Sequence, residues 1–147
     1  MPRAALPGRV RACRRDERGS VMLLTLGYAL ITIAVVLVCL NATSLYLAQK
    51  RVDAIADAAA LAAADGFDLV LRDGVPRAVL HDGGVRAQAA SIVDAHGRAA
   101  RLVRAWTPDG VSARVTVSDT WHPVVFSVFV PAGVALESTA TSRTAAR

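Results

Sequence analysis

At 147 residues, 54% hydrophobic but only 5% aromatic, the chain has room for one modest domain with a core rich in alanine and valine. Its net charge of +5 does not belong to that domain: residues 1–20 hold six arginines against Asp16 and Glu17, a net of +4, while residues 21–147 hold eleven basic and ten acidic side chains, a net of +1. Nucleic-acid binding needs a basic face that follows phosphates, so this distribution argues against it and no nucleic-acid partner is expected.

Residues 1–19, with Pro2, Pro7 and scattered arginines, read as a basic cytoplasmic tail without fixed structure. An uncharged run of 31 residues from Gly19 to Gln49 follows. As a helix it would extend about 46 Å, against about 30 Å for the hydrocarbon core of a bilayer. Six arginines precede the span and only Lys50 and Arg51 follow closely. This asymmetry predicts a single pass through the inner (cytoplasmic) membrane, with the N-terminus cytoplasmic and the C-terminal domain extracytoplasmic. Secretory signal cores run about 7 to 15 apolar residues and end at small-residue sites, whereas this run is longer and has no clear A-x-A site, so a retained anchor is the reading. The alternative is a secreted or membrane-tethered binding module whose signal is removed near Ala42. Cys39 follows Val38, where a lipoprotein signal requires a small residue. Cys13 and Cys39 would lie on opposite sides of the membrane, so they make no disulfide framework.

Nothing stops the helix at the membrane surface. Ser20 is a suitable cap, no proline or glycine occurs from Leu45 to Asp65, and Gly66 supplies the stop. The expected domains are therefore a tail at 1–19, a transmembrane helix with an extracytoplasmic extension at 20–65, and a small extracytoplasmic α+β domain at 66–147. Alternating steps of four and three from Ser20 pass through Leu24, Gly27, Ile31, Ala34, Val38, Asn41, Leu45, Ala48, Val52, Ile55, Ala59 and Ala62. This is an a/d seam, and small residues such as Gly27, Ala34 and Ala48 let helices approach closely in lipid. Gly27, Ala34, Leu45, Ala48, Val52, Ile55 and Ala59 are thus expected to pack against other helices in a homo- or hetero-oligomer. Docking of the outer half on the chain's own domain is the competing reading.

Residues 67–82 are ambiguous. Asp73-Gly74 offers a hairpin turn between two apolar runs, but Pro76 demotes the second run to an edge strand or loop. Asp82-Gly83-Gly84 reads as a break. A short amphipathic helix is expected from Val85 to His96, with Gly97 as its stop, Ala89, Ile92 and Val93 on its apolar side and His96 beside them. Arg98 to Trp106 reads as a strand, Thr107-Pro108-Asp109-Gly110 as a turn, and Val111 to Ser118 as the clearest strand because valine and alanine alternate with polar residues. The apolar run Val124 to Val130, with Phe126 and Phe129, ends at Pro131, and Val134 to Arg143 reads as a last strand. The fold class is α+β: a long N-terminal transmembrane helix continuing into a small domain with a short helix and a mainly antiparallel sheet.

The residues suggest no chemistry. His81, His96 and His122 have no partners at metal-ligand spacing, no serine lies in a G-x-S-x-G turn, and Gly83-Gly84 lacks the G-K-[ST] of a phosphate loop. No catalytic, cofactor-binding or metal site is expected, and the chain reads as a non-enzyme. A membrane-tethered hydrolase would need His96 or His122 to meet a nucleophile in space. Trp106 and Trp121, flanking the central hairpin, read as core or interface anchors.

Asp16-Glu17-Arg18-Gly19-Ser20, the apolar span, Leu45-Tyr46-Leu47-Ala48-Gln49-Lys50-Arg51 and Asp57-Ala58-Ala59-Ala60-Leu61-Ala62 together resemble the N-terminal module of TadE/TadG-like Flp pilus-assembly proteins over about residues 16–66. The resemblance implies a bitopic accessory component of a tight-adherence pilus or related secretion system, of minor-pilin type and compact TadE size. Its partners would be the membrane and other pilin-like or Tad assembly proteins. It also implies Gly19 and Ser20 as the candidate prepilin processing site. Processed relatives carry glutamate five residues into the mature chain, where this sequence has Leu24. Abundant alanine, arginine and valine fit a GC-rich actinobacterial source.

Overall fold

A computed structural model describes residues 17–96, 100–123, 125, 127 and 131–144, excluding the side chains of 17–20. The fold is α+β: a long N-terminal apolar helix is followed by a short helix and antiparallel sheets. Most of the expected tail, the Gly97 stop and the phenylalanines at 126 and 129 lie outside the described residues. Contacts divide the chain into two compact units, the first ending at Leu37 and the second beginning at Val38.

Helix α1 runs Glu17–Ala64 and closes with tightened bonds, Asp65 N–H to Ala62 O at 3.2 Å and Gly66 N–H to Ala63 O at 3.3 Å. Its alanine-rich second half favours the helix, and Gly66 ends it as expected. In the first unit the large apolar side chains from Val21 to Val36 are all exposed. Two hydroxyls within the span bond back to helix carbonyls, Thr25 Oγ1 to Met22 O at 2.9 Å and Thr32 Oγ1 to Tyr28 O at 2.8 Å. Such internal satisfaction is what hydrocarbon demands of a polar side chain.

In the second unit, strands β1 (Phe67–Arg72) and β2 (Val75–Leu80) form a two-stranded antiparallel hairpin. Asp73 and Gly74 both take positive φ, 55° and 80°, as a tight turn of this hand requires. Pro76 is tolerated opposite Leu71 because both strands of a two-stranded sheet are edges. Helix α2 covers Asp82–Ala95. The expected break at Asp82-Gly83-Gly84 is thus the helix's first turn. Asp82 suits the positive end of the helix dipole, and its Oδ1 accepts the Thr107 N–H at 2.9 Å. The glycine is required by a close approach: a Cβ on Gly84 would lie 3.0 Å from the Gly66 carbonyl oxygen.

Strands β3 (Arg101–Trp106), β4 (Ser112–Trp121) and β5 (Val134–Arg143) form a three-stranded antiparallel sheet in the order β3-β4-β5. β3 therefore begins later than the expected Arg98. Alternation along β4 turns Ala113, Val115 and Val117 inward, each with no exposed surface. On the opposite face the paired Thr116 and Thr139 hydroxyls lie 2.9 Å apart. The inward residues meet Val85, Ala89 and Val93 of α2, and Val52, Ile55, Ala56, Ala59, Ala60, Ala63 and Ala64 of α1, in one core. So many alanines bring helix backbones close to the sheet, which is how a chain poor in aromatics still packs a core.

Candidate functional site

The seam expected on α1 has two fates. Val52, Ile55 and Ala59 are buried in the chain's own core and Ala48 packs against it, so these positions are not free for a partner helix. The buried stripe also departs from the heptad: after Ala59 and Ala60 it continues at Ala63 and Ala64, while Ala62 is only half-buried. A straight helix repeats every 3.6 residues and drifts off a 3.5-residue seam within a few turns. The outer half of the seam is thus the competing reading, a helix face docked on its own domain.

The inner half differs. Leu23, Leu24, Gly27, Tyr28 and Ile31 form an exposed apolar face of α1 that is indented where Gly27 lacks a side chain. A Cβ placed on Gly27 would meet nothing within 4 Å among the described residues, so no contact there requires glycine. Yet glycine in a helix interior costs about 1 kcal/mol relative to alanine. Ala34 and Leu45 are exposed. The thiol of Cys39 is free and exposed.

Past the span, polar contacts tie α1 to the sheet within the second unit. The Trp121 indole Nε1 donates to Ser44 Oγ at 3.0 Å, which explains that tryptophan as an anchor. Gln49 Nε2 donates to Asp53 Oδ1 at 3.0 Å and to the Glu137 carbonyl at 3.4 Å, and Lys50 pairs with Asp53 at 3.2 Å. Bonds from Ser138, Gln49 and Lys50, in that order, hold the Asp53 carboxyl below the ordinary carboxylate range. The same pairing with Asp53 raises Lys50. This junction was missed in the sequence, since it joins residues far apart along the chain whose only local signal is the polar face of a helix.

His81 Nε2 lies 3.9 Å from Asp68 Oδ2, and His96 Nδ1 contacts the Ile92 carbonyl at 2.7 Å. His96 is exposed at the C-cap of α2 and does not join the apolar side expected for it, because the helix ends one residue earlier and its ring turns back to the last turn. No group of three or more histidine, cysteine or acidic side chains that could hold a metal forms among the described residues.

Residues 19–66 match the Tad family model, described as putative Flp pilus-assembly TadE/G-like. The match covers the span and its helical extension and ends at Gly66, so the hairpin, α2 and the three-stranded sheet lie beyond it. No curated protein and no solved structure matches the chain. The matched residues, 48 of 147, are similar to a family described by its place in Flp pilus assembly. Together with the one helix among the described residues that is long and apolar enough to cross a membrane, this similarity points to membrane anchoring.

Proposed function

We propose that the protein is a single-pass, non-enzymatic component of a Flp-type pilus-assembly or related secretion system. Residues of the apolar run hold it in the cytoplasmic membrane, with the arginine-rich N-terminus inside and the sheet-bearing domain outside, as the charge asymmetry favours. The observation that carries this reading is the coincidence of the family match at 19–66 with a helix whose most apolar window, of mean hydropathy 2.6, has none of its residues buried in the chain. A helix with no apolar cover of its own needs lipid or other helices. The small residues Gly27 and Ala34 on the exposed apolar face support packing against pilin-like or assembly-platform helices, since small residues permit close approach where lipid gives no hydrophobic drive.

Site-specific cross-linking in native membranes tests the packing. Gly27→Leu with Ala34→Leu should lower the cross-linked yield about fivefold, the equivalent of about 1 kcal/mol of helix association. Leu30→Ala, off the seam, should leave it unchanged. Equal yields from both variants would remove the seam from the account. N-terminal sequencing of the mature chain separates the processing states: a start at Ser20 means cleavage after Gly19, an intact N-terminus means a plain anchor, and a start beyond residue 40 means secretion.

A further inference from the structure

We propose that the free edge of β3 is a docking site for an extended, acid-bearing segment of a partner protein, which joins the sheet as a fourth strand. Among the described residues β3 pairs with β4 alone, so the backbone groups along its other edge face no strand. That edge is not simply open to solvent. The five consecutive residues Leu102–Trp106 line one side of a cleft of about 430 Å³, and Asp82, Gly83 and Arg86 from the start of α2 line the other. A cleft walled on one side by a strand edge suits a chain that can pair along it, because main-chain bonds supply affinity and flanking side chains supply selectivity.

Charge selects the class of segment. Arg86, Arg101 and Arg104 are exposed, and none is in an ion pair among the described residues. Trp106 carries the Arg104 guanidinium over its ring at 4.2 Å, with Arg114 at 5.7 Å, which holds positive charge beside the edge. The one acid in the cleft, Asp82, already accepts the Thr107 N–H at 2.9 Å. Edge charge ordinarily repels unwanted strands; with Arg101 and Arg104 as the charged residues of β3 and Arg86 across the cleft, this edge disfavours basic strands and admits acidic ones. The bulge between Leu102 and Arg104 interrupts the straight run and limits pairing to a short segment. A second copy is a poorer occupant, since its β3 edge carries the same Arg101 and Arg104, its β5 edge carries Arg143, and the Glu137 carbonyl of β5 is engaged by Gln49 at 3.4 Å. This inference does not depend on the membrane reading.

The test uses the full chain in detergent and a fluorescent peptide of alternating valine and glutamate, about seven residues long, read by anisotropy. Wild type should bind it, with affinity falling as salt rises, and should bind poorly both a valine–lysine peptide and a version interrupted by proline. Arg86→Glu with Arg104→Glu should weaken the glutamate peptide at least about tenfold and gain the lysine peptide. That swap of preference also establishes that the variant is folded. Failure of folded wild type to bind the glutamate peptide overturns the proposal. So does equal binding of the proline-interrupted peptide, or displacement by millimolar inorganic phosphate, since either means an anion pocket and not a strand site. A concentration-dependent dimer that Arg104→Glu dissociates would give the edge to a second copy and overturn it as well.

Discussion

Gly133 takes φ 71°, and a Cβ there would lie 2.7 Å from Thr120 Cγ2 and 2.8 Å from the Trp121 carbonyl oxygen. Gly133→Ala should therefore destabilise the chain by about 1–3 kcal/mol in chemical denaturation, from backbone strain and the clash together. Burial draws a second contrast between leucines on one hairpin. Leu80→Ala, at 2% exposure, should cost about 2–5 kcal/mol, whereas Leu71→Ala, at 75%, should stay within about 0.5 kcal/mol. Asp109 accepts the backbone N–H groups of Val111 and Ser112 and the Ser112 hydroxyl, and these bonds hold its carboxyl below the ordinary value. Asp53 is lowered too. A carboxyl depressed on folding contributes stability above its unfolded pKa, which is lost as pH falls through the folded one. Thermal stability should thus decline below about pH 4, and Asp109→Ala should both lower it at neutral pH and flatten that acid decline. An unchanged acid limb would contradict the role given to Asp109. Some of this detail was legible in the sequence. Asp73-Gly74 announced its turn because the constraint is local, whereas Gly84 looked like a break because its reason is the Gly66 carbonyl on another element.

Among the elements, α1 and the alternating β4 followed from the sequence because both patterns are long and repeat on one face. The start of α2 did not, since two glycines weaken helix propensity and only tertiary contact restores the helix. The seam was legible as an apolar stripe but not as to its partner: a helix face reads the same whether it meets another chain or its own sheet. The structure separates the cases along the helix. Ala59 is fully buried in the core, so Ala59→Leu should overpack it and cost about 1–3 kcal/mol of unfolding free energy. Ala34 is exposed, so Ala34→Leu should leave unfolding of the sheet-bearing unit unchanged and act only on association. Equal losses of stability from the two changes would mean that the inner stripe is also part of the fold.

For the molecule as a whole, two kinds of order sit in one chain: an apolar helical stretch exposed among the described residues, and a small domain with its own core. The first makes the membrane-anchor reading legible, because a run of that length with flanking arginines is suited to a bilayer. The domain carried less information, as its contacts at Ser44, Gln49 and Asp53 unite residues that are distant along the chain. The most direct test of the account is alkaline carbonate extraction of cells expressing the full-length chain, followed by detection of both termini. The uncleaved protein should remain in the membrane pellet. Recovery of the full-length chain in the carbonate supernatant would contradict anchoring, and with it the role in pilus assembly.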